Sequence, residues 1–264
     1  MTFSTMTLIR DSAGVRLTAR GDGISLATEE HALKIAVAFG QGPGEVASVL
    51  VVDDYDKRSR LVGSVRSVAA GTLSIRIAAV PINEYPFVDP FRLAEELTKQ
   101  AEKAGSIEYE PTPPERREVS RAAEILKAGD SPLILGAVQV LLDGGRFAVP
   151  VVEAGKDFIR HVRHLMPYRS LDEMTFATLA FTAELPVDAM VVPEAVSVPG
   201  LFVAEALRCY PNGRYEQAML LACEQGDQAE FDRLLCRKTG TDTLKLAMGI
   251  VLFALVVTLI MKLF

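Results

Sequence analysis

The chain has 264 residues, 49% of them hydrophobic and 23% charged, with 34 acidic against 28 basic side chains and a net charge of -6. That balance excludes a nucleic-acid binder, which needs a basic surface to displace counterions from phosphates. Three widely spaced cysteines, Cys209, Cys223 and Cys236, exclude a disulfide framework, and no CxxC pair points to zinc.

Residues 6–26 read as a hairpin. The β-prone runs MTLIR and GVRLTAR flank Asp-Ser-Ala-Gly, a turn composition. TEEHALKIAVAFG then predicts a helix capped by Thr28, with Glu29 and Glu30 at its positive end and Gly40 ending it. ASVLVVD (47–53), LVGSVRSV and TLSIRIAAVPI are strands, the first two joined by the charged connector DYDKRSR. DPFRLAEELTKQAEKAG starts a helix with Asp89 at the cap and Pro90 at its first position, where a missing N–H loses no bond.

The fold class expected is mixed, α+β / α/β. An N-terminal α+β domain (1–106) leads through the proline-rich linker IEYEPTPPERRE (107–118) into an α/β middle domain (119–199). In that second unit helices 115–128 and 131–142 precede the strand RFAVPVV, which Pro150 pushes toward a sheet edge. The helix GKDFIRHVRHLMP and the strand MTFATLAFT follow. Residues 200–238 read as all-helical, with Asp227 and Glu230 at capping-box spacing. TGTDT belongs to a short linker (239–244) before the C-terminal segment 245–264.

That segment, KLAMGIVLFALVVTLIMKLF, is uncharged from Leu246 to Met261. The roughly 19 residues through Phe264 reach about 28 Å as a helix, close to the hydrocarbon thickness of a bilayer. Leu246, Met248, Ile250, Leu252, Phe253, Leu255, Val257, Leu259 and Ile260 would face lipid. Only Thr258 and, near the far end, Lys262, whose ammonium can reach the interface, break the apolar surface, whereas a soluble helix shows a polar stripe. The expectation is a single-pass transmembrane anchor. Arg233, Arg237, Lys238 and Lys245 precede the span, so the positive-inside bias keeps the N-terminal body in the cytoplasm. Arg10 and Asp11 interrupt the start before any signal-peptide core forms. A tail-anchored cytosolic body at the cytoplasmic membrane is the consequence.

No phosphate-binding loop, GxSxG elbow or HExxH motif occurs. The stretch KDFIRHVRHLMPYR (156–169) is the densest cluster of functional side chains. Asp157, His161 and His164 fall within about 60° of one another on a helix, the beginnings of a metal or hydrolase site that lacks a fourth ligand. Lys156, Arg160 and Arg163 form a basic stripe opposite, with Arg169 beyond. Together with His161 these are the candidate partner-binding residues, for an acidic protein surface or a phosphate. Asp53, Asp54 and Asp56 imitate a magnesium site, but Lys57, Arg58 and Arg60 compete for their carboxylates. Neither a catalytic residue nor a cofactor or metal is assigned.

GVRLTARGDGIS with the acidic helix EEHALKI, SIRIAAVPINEYPFVDPFRLAEEL, and HLMPYRSLDEMTFATLAF together resemble the bacterial GTPase-associated protein family over about residues 7–200. The resemblance implies a non-catalytic adaptor acting beside a regulatory GTPase in bacterial conflict or stress systems. In LVGSVRSVAAGTLSIRIAAV the chain has Gly63 but not the histidine that the family carries on the following strand, so a function tied to that histidine is not implied. The sequence expectation is a membrane-tethered adaptor or scaffold that binds a protein partner, with homo-oligomerisation open. The alternatives are a membrane-anchored hydrolase using Asp157, His161 and His164, or an oligomerising membrane-perturbing effector.

Overall fold

A computed structural model describes residues 1–40, 42, 46–69, 71–99, 105–113, 116–155, 157–195, 198–210 and 213–237. The fold is mixed α+β, built on one large sheet. Strands β1 (Thr2–Asp11) and β2 (Gly14–Arg20) form the expected hairpin. Helix α1 (Leu26–Ala38) follows, then β3 (Ala47–Asp53), β4 (Ser59–Ala69) and β5 (Thr72–Pro81) as an antiparallel meander. Helix α2 (Pro90–Lys99) opens with the Asp89 carboxylate accepting from the Phe91 N–H, and β6 (Ser106–Glu108) pairs with the start of β1.

The second half contributes α3 (Val119–Ala128), α4 (Ser131–Leu142), β7 (Arg146–Pro150), α5 (Val151–Ala154), α6 (Phe158–Leu165) and α7 (Tyr168–Glu173). Then come β8 (Phe176–Ala177), β9 (Ala189–Val192), β10 (Leu201–Phe202), α8 (Ala204–Arg208), α9 (Arg214–Gln225) and α10 (Gln228–Leu235). The sheet order is β10-β7-β9-β8-β3-β4-β5-β1-β2. Strands β10, β7, β9 and β8 run parallel, and the rest pair antiparallel. The sheet crosses between the halves where β8 meets β3 through Leu50 opposite Ala177 and Val51 opposite Phe176. Side chains extend that short junction: the Thr178 hydroxyl accepts from the Val49 N–H, and Ser48 Oγ donates to Leu179 O at 2.8 Å.

Alternation along the strands divides the core in two. Val51 and Val62 face a layer that includes α2, α3, α4, α6 and α9. Leu50, Val52 and Leu61 face α1, which buries Ala32, Ile35 and Ala36. A side-chain period of two in a sheet covered on both faces requires this arrangement.

Four local expectations are corrected. Helix α1 is capped by Ser25, whose side chain accepts from the Thr28 N–H, whereas Thr28 donates its own hydroxyl to the buried Asp54 carboxylate at 2.9 Å. Strand β7 lies inside the sheet, not at its edge. It tolerates Pro150 because β10 reaches only Arg146 and Phe147, leaving the proline beyond that partner. The strand expected over MTFATLAFT is reduced to Phe176–Ala177, since Thr178 and Ala180 turn to donate to Val49 and Val191. Residues 200–210 open with β10 before a short α8, instead of a continuous helix.

Candidate functional site

The sequence cluster 156–169 lands on α6 and α7, against the junction of the two halves. Phe158, Ile159, Val162 and Leu165 are buried, as their helical spacing dictates. The end of α6 is then held by groups from distant segments. Arg117 Nη1 lies 3.1, 3.0 and 2.7 Å from the carbonyls of Arg163, His164 and Met166. The Tyr215 hydroxyl donates to Leu165 O at 2.6 Å. These acceptors lie in and just past the last turn, where the helix itself offers only the Met166 N–H, 3.4 Å from Arg163 O. Arg117 also lies over the Tyr168 ring, 4.6 Å from its centroid. Burial pulls the Arg117 guanidinium down to about 10, with Arg163 adding to the effect and Tyr168 opposing it.

The basic stripe expected on the far side of α6 is not a solvated row. Arg163 turns inward, its guanidinium carbon 5.0 Å from the Phe176 ring centroid and 6.0 Å from that of Phe91, and its buried Nη1 has no partner. Arg160 stays exposed but stacks 3.9 Å over Phe91, with Asp157 at 3.7 Å and Glu95 at 3.9 Å. Arg169 is exposed on α7. Lys156 lies outside the described residues.

The two histidines are half-buried. Desolvation lowers His161, with Asp157 opposing and Arg121 adding to the shift. Desolvation pulls His164 down to about 4, and Arg117 and Arg121 push the same way against a hydrogen bond with the Glu118 backbone. Its Nε2 is buried without a partner. Two neighbouring cations oppose a metal here as much as they oppose a proton. Among the described residues, no group of three or more His, Cys, Asp or Glu side chains is placed to hold a metal ion.

Arg60 joins the junction from β4 and is not one of the loop charges that its place in DYDKRSR suggests. It is 3% exposed, donates to Met174 O at 2.7 Å, lies 3.3 Å from Asp53 and stacks 4.9 Å over Tyr85. Burial raises the Asp172 carboxyl, opposed by Arg60 and Arg163. No local signal singles Arg60 out, because its carbonyl acceptor, Met174 O, comes from a segment of the second half. The other loop carboxylates close the turn: Asp54 accepts from the Tyr55 N–H and Asp56 from the Arg58 N–H.

This arrangement acts as a clamp. Its cations are held by rings and carbonyls, and burial disfavours protonation of its imidazoles. Outside it Arg160, Asp157 and Glu95 form a mixed-charge surface, and Arg169 is exposed on α7.

The clamp continues toward the C-terminal segment. Gln228 of α10 donates to Arg117 O and accepts from the Val119 N–H, and Arg116 pairs with Asp232 at 2.6 Å. Asp227 caps α10 as expected, but Glu230 pairs with Arg233 at 2.5 Å instead of reaching back. The Asp227 N–H is already donated to Ala222 O. Arg237 lies 6.0 Å from the Tyr215 ring centroid. Lys238, Lys245 and the apolar run Leu246–Phe264 lie outside the described residues, among which no single helix is long and apolar enough to cross a membrane. No protein-family model matches the chain, and no curated protein sequence matches it.

Proposed function

We propose that the chain is a membrane-tethered, non-enzymatic adaptor. In this reading residues 246–264 span the bilayer, two mixed units form the cytoplasmic body, and the body holds a protein partner at the inner membrane face. The observation that carries the proposal is the uncharged run Leu246–Met261 preceded by Arg233, Arg237, Lys238 and Lys245. The clamp supports it, because Arg117, Tyr215, Gln228 and Asp232 bind the helices before the span to the body. About ten residues separate α10 from the span, so the body stays within roughly 35 Å of the headgroups. Confinement to that layer raises the effective concentration of a bound partner.

A regulatory GTPase is the partner proposed, from the family resemblance of GVRLTARGDGIS, PFVDPFRLAEEL and HLMPYRSLDEMTFATLAF. The exposed Arg160 and Arg169 and the half-buried His161 are the proposed contact residues, together with Lys156, which lies outside the described residues. The reading calls for no cofactor.

The test has two arms. Full-length protein from a detergent-free lysate should pellet with membranes and resist alkaline carbonate, while a chain ending at residue 244 should stay in the supernatant. Liposomes carrying the full chain should then recruit a purified GTPase encoded beside its gene. Full-length protein in the supernatant refutes the tether, and liposomes that recruit no such GTPase refute the partner.

A further inference from the structure

Helix α1 has apolar residues on two opposite faces. Ala32, Ile35 and Ala36 fill the core. At 100° per residue, Leu26, Leu33 and Val37 gather within about 40° of one another on the other side, with Ile35 about 180° from Leu26. Leu26 is 69% exposed and Val37 59%. Val37, Leu33 and Ala38 line a groove of about 410 Å³ with Val15 at the start of β2, the last strand of the sheet, and the charged Lys34 and Glu184 border it.

Leu26, Glu30, Leu33 and Val37 alternate in spacings of four, three and four, the seam pattern of paired helices. Glu30 is the one polar member, and Lys34 stands beside the seam. Both are exposed, and neither has an ion-pair partner among the described residues, since Arg20 pairs with Glu29 instead.

From this pattern we infer that α1 is the contact for a second copy of the chain, packed antiparallel about a two-fold axis near residues 31 and 32. That axis sets Leu26 against Val37 of the other copy, so the most exposed leucine among the described residues enters the groove lined by Val15, Leu33 and Val37. It also brings Lys34 to within one helical position, about 1.5 Å along the axis, of Glu30 of the other copy, twice by symmetry. The face is therefore complementary to itself in shape and in charge, as an isologous contact requires. A single helix face covers less than the roughly 800 Å² per partner of a standard interface, so the affinity expected is micromolar.

The test is sedimentation equilibrium of the full chain in density-matched detergent, with circular dichroism to check folding. The wild type should form dimers at tens of micromolar. Lys34→Glu and Glu30→Lys should each raise Kd about tenfold or more, because each sets like charges face to face twice. The double variant, with the charges exchanged, should return to within about threefold of wild type. A monomeric wild type overturns the inference. So do single variants that dimerise normally, which would put assembly elsewhere, or a folded double variant that stays monomeric.

Discussion

Replacing Tyr215 by phenylalanine removes one atom from the contact between α9 and the end of α6. Tyr215 is 1% exposed, and its hydroxyl donates to Leu165 O at 2.6 Å. Burial raises the phenol above its ordinary range, so it remains a protonated donor throughout any workable pH. The variant keeps the ring and its packing, opening no cavity larger than an oxygen. It leaves Leu165 O at a helix end without that donor, and a carbonyl orphaned in the interior costs about 1–2 kcal/mol. At about 2–4 °C per kcal/mol for a body of this size, the melting temperature should fall by roughly 2–8 °C. Tyr215→Ala removes the ring as well and should cost about 3–5 kcal/mol. Urea unfolding followed by circular dichroism, on both variants in the same detergent, measures the two steps separately. If Tyr215→Phe unfolds with wild type and Tyr215→Ala loses less than about 1 kcal/mol, α9 is not docked on α6 and the clamp reasoning fails.

Three other perturbations have defined outcomes. His164 has its folded value near 4 against an ordinary 6.5, so between those pH values the unfolded chain binds a proton that the folded chain refuses. Its contribution is complete above pH 6.5 and is lost as pH falls toward 4. Discounted for partial exposure, that amounts to about 1–2 kcal/mol, and His164→Gln should flatten the urea midpoint against pH across this window. Lys57 holds φ at 56° in the exposed β3–β4 turn, so Lys57→Gly should stabilise by about 0.5–1 kcal/mol in thermal melts. A Cβ on Gly136 would overlap the Leu207 carbonyl where α4 crosses α8, so Gly136→Ala should cost about 1–3 kcal/mol on the same assay.

What the sequence made legible follows from how local the physics is. The bounds of β3 and α4 were readable because turn or cap residues fence each apolar run, and both elements match their expected ranges. The start of α1 was misplaced because two hydroxyls compete for one role. Ser25 caps the helix, and Thr28 is drawn away by the Asp54 carboxylate across the core. The inward turn of Arg163 is not legible in the sequence, since helical spacing puts it only about 40° from Ile159, at the border between the apolar face and solvent. Only the arrival of Phe91 and Phe176 from other elements gives its cation a place to stack. The β3–β8 junction was hidden for a similar reason. Two residues of strand carry no periodicity, and hydroxyl bonds from Ser48 and Thr178 supply the rest of the register.

The junction also explains why α6 is rich in basic residues without forming an open basic surface. Its final turn is held by Arg117 and Tyr215, and one Nη1 has two hydrogens to share among three carbonyls. The acceptors are therefore incompletely paired unless the geometry is kept, and any shift of the 116–118 segment loosens several bonds together. The same segment meets α10 through Arg116 with Asp232 and through the Gln228 side chain. Under the proposed function, load applied at the C-terminal segment would reach the sheet along this route. A partner seated near Arg160 would then sense α10 through α6 and the 116–118 segment, with the Gln228 bonds to Arg117 O and the Val119 N–H carrying more of that coupling than the exposed Arg116–Asp232 pair.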